Sequence, residues 1–143
     1  MSEAVEDSNR RMLRARDAMD RYYWRPLDVP ALARIAYISE AHFIRTFRAT
    51  FGETPHRYLQ RRRVERAMFM LRETDRTVTE ICFDVGFISL GTFSRTFREI
   101  VGKSPSEYRA EADVDVAPTC FGMAWTRPRA LSSFGEAIGR SAD

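Results

Sequence analysis

The 143-residue chain holds only two cysteines, Cys82 and Cys120, too few for a disulfide framework. With only two histidines, His42 and His56, a zinc site is not expected. No run of ~18 apolar residues occurs, so no stretch reads as a membrane-crossing helix. The N-terminal MSEAVEDSNRRM carries charges where a secretory signal needs an apolar segment, which predicts a cytoplasmic protein. Paired nucleophile and base, metal-ligand spacing and a glycine-rich phosphate loop are all missing, so neither catalysis nor a cofactor is expected. Lysine is nearly absent too. Of 23 Lys+Arg, 22 are arginine, the exception being Lys103.

Two explanations of the arginine excess stand side by side. A GC-rich genome favours arginine codons everywhere. Arginine also presents a planar fork of donors that fits phosphates and guanine edges better than an ammonium does. Codon usage does not explain the placement of charge. Residues 1–110 hold 20 Lys+Arg against 15 Asp+Glu, a net +5, whereas residues 111–143 hold 3 against 5, a net −2. The length fits one ordinary domain with a tail, and 44% hydrophobic residues suffice for a core.

What the chain has in plenty is an internal echo. Phe43, Arg45, Thr46, Phe47, Arg48, Gly52, Pro55 and Tyr58 return fifty residues later as Phe93, Arg95, Thr96, Phe97, Arg98, Gly102, Pro105 and Tyr108. The shared pattern is IS-x3-F-x-RTFR-x3-G-x2-P-x2-Y. Two copies are too few for a solenoid, which needs at least three stacked units.

Periodicity and capping signals predict helices throughout, with no convincing strand before residue 117. A first helix is expected over 8–24, capped by Ser8 or Asn9 and ended by Pro26. Asp28, with Pro30 in the first turn, opens a second. Ser39 caps a third, 39–51, whose Phe43 and Phe47 face inward and which Gly52 stops. Thr54 and Pro55 start a long helix, 55–73, rich in arginine over 61–66. Thr77 and Glu80 form a capping box for the next, Ser89 caps helix 89–101, and Ser104, Pro105 and Glu107 open a short last helix through Tyr108. The small residues Ala33 and Cys82 let the second helix of each pair cross closely over the first. Aligning Leu32-Ala33 with Ile81-Cys82 makes the second turn one residue longer than the first.

Helix, short turn, helix, written twice, is the form of a helix-turn-helix, whose second helix enters the DNA major groove N-terminal part first. The helices in that role are 39–51 and 89–101, within bihelical modules over about 28–51 and 77–101. Helical spacing turns positions 40, 41, 44, 45 and 48, and 90, 91, 94, 95 and 98, away from the core. Arg45 and Arg95 are candidates for bidentate contact with guanine, the alternative being an intramolecular salt bridge. Ala41, Ile44 and Leu90 suit thymine methyls or are ordinary exposed hydrophobes. Gly91 permits close backbone approach, and Ser94 can reach a base edge. Ser39, His42, Arg48, Arg61, Ser89, Thr92 and Arg98 are candidates for the DNA backbone. The 55–73 helix, ~28 Å long, suits two readers set one ~34 Å turn of DNA apart.

These residues resemble the DNA-binding domain of the AraC/XylS family of bacterial transcription regulators, from about Leu13 to Arg109. The second half carries the more specific match: EICFDVGFISLGTFSRTFREIVGKSPSEYR follows the pattern E-I-A-x3-G-F-x-S-x3-F-x-R-x-F-(R/K)-x3-G-x-(S/T)-P-x2-(Y/F)-R. Arg63, Ala67 and Leu71 match in the connecting helix, and Cys82 departs from the usual Ala. The resemblance implies an all-α, homeodomain-like domain of seven helices over 8–110. Two helix-turn-helix subdomains would be joined by the long central helix, with a short C-terminal extension, 111–143. It also implies that Arg45 and Arg95, with residues 41, 44, 91 and 94, face bases. The chain looks like the small stand-alone members. These bind asymmetric sites of double-stranded DNA as monomers and mostly activate transcription through RNA polymerase, which would place the bound protein on the nucleoid. The alternative is a non-specific or architectural DNA-binding protein.

In the extension, the alternation of Val114, Val116, Phe121, Met123 and Trp125 predicts short extended segments, and Ser133 to Ile138 one helical turn. The leading expectation is a tail folded back so that Phe121 and Trp125 are buried, the alternatives being a disordered tail or a small partner- or effector-binding element.

Overall fold

The computed structural model describes residues 2–119, with side chains through 113. Among the described residues the fold is all-α, with seven helices: α1 Glu3–Arg21, α2 Val29–Ala36, α3 Glu40–Phe51, α4 Pro55–Glu73, α5 Val78–Asp84, α6 Leu90–Val101 and α7 Pro105–Thr119. None of the described helices is long and apolar enough to cross a membrane.

The caps explain most boundaries. The side chains of Asp28, Ser39 and Ser89 accept hydrogen bonds from the N–H groups of Ala31, His42 and Thr92. Thr77 with Glu80, and Ser104 with Glu107, form reciprocal capping boxes. Because each carboxylate accepts a backbone N–H, Glu80 and Glu107 are held below the usual range. Gly52 and Gly102 end α3 and α6 at φ 82° and 95°, where a side chain would be strained.

Two sequence expectations are corrected. The first helix starts at Glu3, with Ser2 rather than Ser8 or Asn9 as its cap, and ends at Arg21. A second serine, Ser8, six residues after Ser2, offered the same cap chemistry, and the helix simply runs on through it. The short last helix expected through Tyr108 is instead α7, which continues to Thr119 and takes in Val114 and Val116, where the alternation predicts an extended segment. Alternation over so few residues does not separate strand from helix. The expectations for Phe121, Trp125 and Ser133 to Ile138 lie outside the described residues.

The chain divides into two units, Met1–Arg63 and Val64–Asp143, with the cut inside α4. In the first, α1, α2 and α3 pack on one another around Met12, Ala15, Met19, Leu32, Phe43 and Phe47, closed by Tyr58 and Leu59 of α4. In the second, α6 packs on both α5 and α7. The buried residues there include Val64, Ala67 and Leu71, with Ile81, Cys82, Phe93 and Phe97.

The duplication therefore reaches further than the fifty-residue echo. Met12, Ala15 and Met19 of α1 have the spacing of Val64, Ala67 and Leu71 of α4, and all six are buried. Each unit is thus a supporting helix followed by a helix-turn-helix. The aromatic packing repeats as well. Phe43–Phe47 and Phe47–Tyr58 centroids lie 5.6 and 5.7 Å apart, and Phe93–Phe97 and Phe97–Tyr108 lie 5.8 and 5.7 Å apart.

Candidate nucleic-acid interface

The turn of each module positions its second helix. In the first unit Tyr37 takes the left-handed conformation at φ 60°, and in the second Gly86 does so at φ 108°. The next residue bonds back to the small residue of the preceding helix. Ile38 N–H donates to the Ala33 carbonyl at 3.2 Å, and Phe87 N–H to the Cys82 carbonyl at 3.1 Å. The turns match up to this point, and then the second carries one extra residue, Ile88, before its cap. The longer second turn expected from the sequence is located there.

Of the outward positions, Glu40, Ala41, Ile44, Arg45 and Arg48 on α3 are exposed. Leu90, Gly91, Arg95 and Arg98 on α6 are exposed, while Ser94 and Thr92 are half-buried. His42 is exposed, and the Ser39 and Ser89 hydroxyls serve as caps. A Cβ built on Gly91 meets nothing within 4 Å, so packing inside the protein does not demand a glycine there.

Arginines that look alike in sequence separate into two groups. Arg45 and Arg95 are exposed and make no hydrogen bond or ion pair with any described residue, which removes those residues as salt-bridge partners. Arg48 and Arg98 are exposed likewise, and the charge of Arg98 helps lower Glu107. The run at 61–63 is occupied internally. Arg61 pairs with Glu53 at 2.8 Å and lies 5.1 Å from the Tyr58 ring centre. Arg62 pairs with Asp20 at 3.0 Å. Arg61, a backbone candidate from sequence, thus has an internal partner to give up before it could hold a phosphate.

Arg63 shows a use of arginine that the sequence concealed. Its Nε donates to the Tyr23 carbonyl at 2.6 Å and its Nη2 to the Arg25 carbonyl at 2.8 Å. Burial lowers its pKa. Arg11 donates to the carbonyls of Ala36 and Tyr37, both at 3.0 Å, and Arg109 to those of Leu71 and Thr74 at 3.0 and 3.2 Å. Three forked side chains satisfy carbonyls at or just beyond helix C-termini, where four acceptors lack intrahelical donors. One guanidinium reaches two acceptors, which suits this role.

Charge also separates the units. Residues 1–63 hold 13 Lys+Arg against 8 Asp+Glu, a net +5, while residues 64–143 hold 10 against 12, a net −2. The excess of positive charge lies in the first unit, although the two copies of the echo, 38–58 and 88–108, each hold 3 Lys+Arg against 2 Asp+Glu.

The description of a helix-turn-helix domain matches residues 32–111. The chain is 34% identical over 71 residues to regulatory protein SoxS of Salmonella typhimurium, a match covering 50% of this chain and 66% of that one. It resembles an AraC-type DNA-binding regulator from Chromobacterium violaceum, with a TM-score of 0.67 at 28% identity over 73% of this chain and 94% of the other. It also resembles the DNA-binding domain of AdpA, a global transcriptional factor solved with a target DNA, with a TM-score of 0.64 at 34% identity over 68% and 87%. Matches to three other curated regulators span only 20%, 29% and 22% of their length. With two helix-turn-helix units and a matching description over more than half its length, the chain belongs to the AraC/XylS family of DNA-binding transcription regulators.

Proposed function

We propose that the protein reads a specific asymmetric site in double-stranded DNA, with α3 and α6 in two successive major-groove segments. Arg45 and Arg95 are the base-reading pair. One observation carries this: equivalent positions on two equivalent helices hold exposed arginines without an ion-pair partner among the described residues. A guanidinium in that state is available for guanine O6 and N7. Around them, Ala41 and Ile44 on α3, and Leu90, Gly91 and Ser94 on α6, give the two helices different surfaces and hence different preferences. Ser39, His42, Arg48, Ser89, Thr92 and Arg98 flank these and suit phosphate contact.

By the family resemblance, one copy of the chain binds one site as an activator that touches RNA polymerase. It would act in the cytoplasm, on the nucleoid. The domain so defined covers 8–110, with 111–143 as an extension. An architectural role is the weaker reading, because a protein that holds only phosphate gains nothing from a second unit of net −2. Footprinting on DNA selected from random sequence tests the proposal. One protected stretch of about two turns is expected, and diffuse protection on every duplex would overturn it.

A further inference from the structure

We propose that Ile88, together with Leu90, reads a thymine methyl group in the half-site facing α6. The inference rests on the major-groove reading of α6 proposed above.

Ile88 is the residue that the second turn has and the first lacks. An apolar residue just before a helix cap ordinarily packs against the fourth residue of the helix. In the first unit Ile38 does this, packing on the core that contains Phe43. In the second unit Phe87 already fills the place. It is buried, with its ring centre 5.1 Å from that of Phe93. Ile88 is left 91% exposed.

Its place in the chain gives it an outward use. Ile88 immediately precedes Ser89, the cap of α6, and this N-terminal end of a recognition helix enters the groove first. Leu90 follows the cap and is 40% exposed. In the first unit the residue after the cap is the acid Glu40, and no counterpart of Ile88 exists. The leading end of α6 is therefore apolar where that of α3 is acidic. Open space at Gly91 leaves the backbone free to come close. In the major groove thymine alone presents an apolar group, its C5-methyl, so an apolar tip selects for it.

The test uses a duplex selected by the protein, in which each thymine is replaced singly by deoxyuracil. This removes the methyl and keeps every hydrogen-bonding group. Positions sensitive to Arg95→Ala mark the α6 half-site. Wild type should lose about fourfold affinity at one or two thymines there, the equivalent of one buried methyl group. In Ile88→Ala the thymine to deoxyuracil ratio at those positions should fall toward one, Leu90 keeping part of the contact, while ratios in the other half-site stay unchanged. Circular dichroism and an unchanged melting temperature would establish that the variant folds. An unchanged ratio in Ile88→Ala, or no deoxyuracil effect in wild type, overturns the proposal. If wild type binds all duplexes alike, the major-groove reading itself has failed, and that result differs from either of these.

Discussion

Tyr58 Oη donates to Asp20 Oδ1 at 2.7 Å, joining α4 to α1 within the first unit. Burial, reinforced by the Asp20 carboxylate, pushes the Tyr58 phenol up to about 12 from an ordinary 10.0. A raised folded-state pKa gives stability that is fully present below the unfolded pKa and lost as pH rises through the folded one. The first unit should therefore weaken between pH 10 and about 12. Tyr58→Phe should flatten that alkaline loss while costing about 1.5 kcal/mol near neutrality. Denaturant unfolding of both proteins across the alkaline range measures this.

Arg63→Ala takes the side-chain donor from the Tyr23 carbonyl and leaves the Arg25 carbonyl with the Leu27 N–H alone. A loss of about 1–3 kcal/mol in stability is expected. Arg63→Lys should recover only part of it, since one ammonium does not reproduce the fork. The preference for target over unrelated duplex should survive in whatever fraction is folded. Urea melts paired with binding titrations separate the two effects.

These two residues mark where the sequence was legible and where it was not. The aromatic and capping pattern was readable because it is local: Ser39, Thr77, Glu80 and Gly102 act within one helical turn. The run Arg61, Arg62 and Arg63 was not readable, because its partners Glu53, Asp20 and Tyr23 are set by tertiary packing. The second copy of the supporting helix was hidden because Met12 and Met19 of one answer to Val64 and Leu71 of the other, so apolar spacing repeats without identity. The echo also misleads at one position. It pairs Ile38 with Ile88, yet the structural partner of Ile38 is Phe87, as their matching bonds to Ala33 and Cys82 show. The Val114 and Val116 alternation failed because helix α7 runs on through it.

Gly91 offers a test in which stability and function move in opposite directions. Alanine fits the open space there and stabilises a helix by roughly 0.5–1 kcal/mol relative to glycine. Gly91→Ala should melt a few degrees higher. If the α6 backbone comes close to DNA, the added methyl should also weaken binding to the target. A more stable protein with undiminished affinity would place Gly91 away from the groove.

Arg45→Ala and Arg95→Ala, titrated against a selected target and a scrambled duplex at two salt concentrations, test the central claim most directly. Both side chains are exposed, so stability should stay within about 0.5 kcal/mol of wild type. Each variant should lose about 1–3 kcal/mol on the target, roughly 5- to 150-fold, and relax preference in one half of the site. Binding to the scrambled duplex should hardly change, and the two losses should add, since the residues lie in different units. Equal losses on both duplexes would make these arginines phosphate clamps, and no loss on either would remove α3 and α6 as the reading surface.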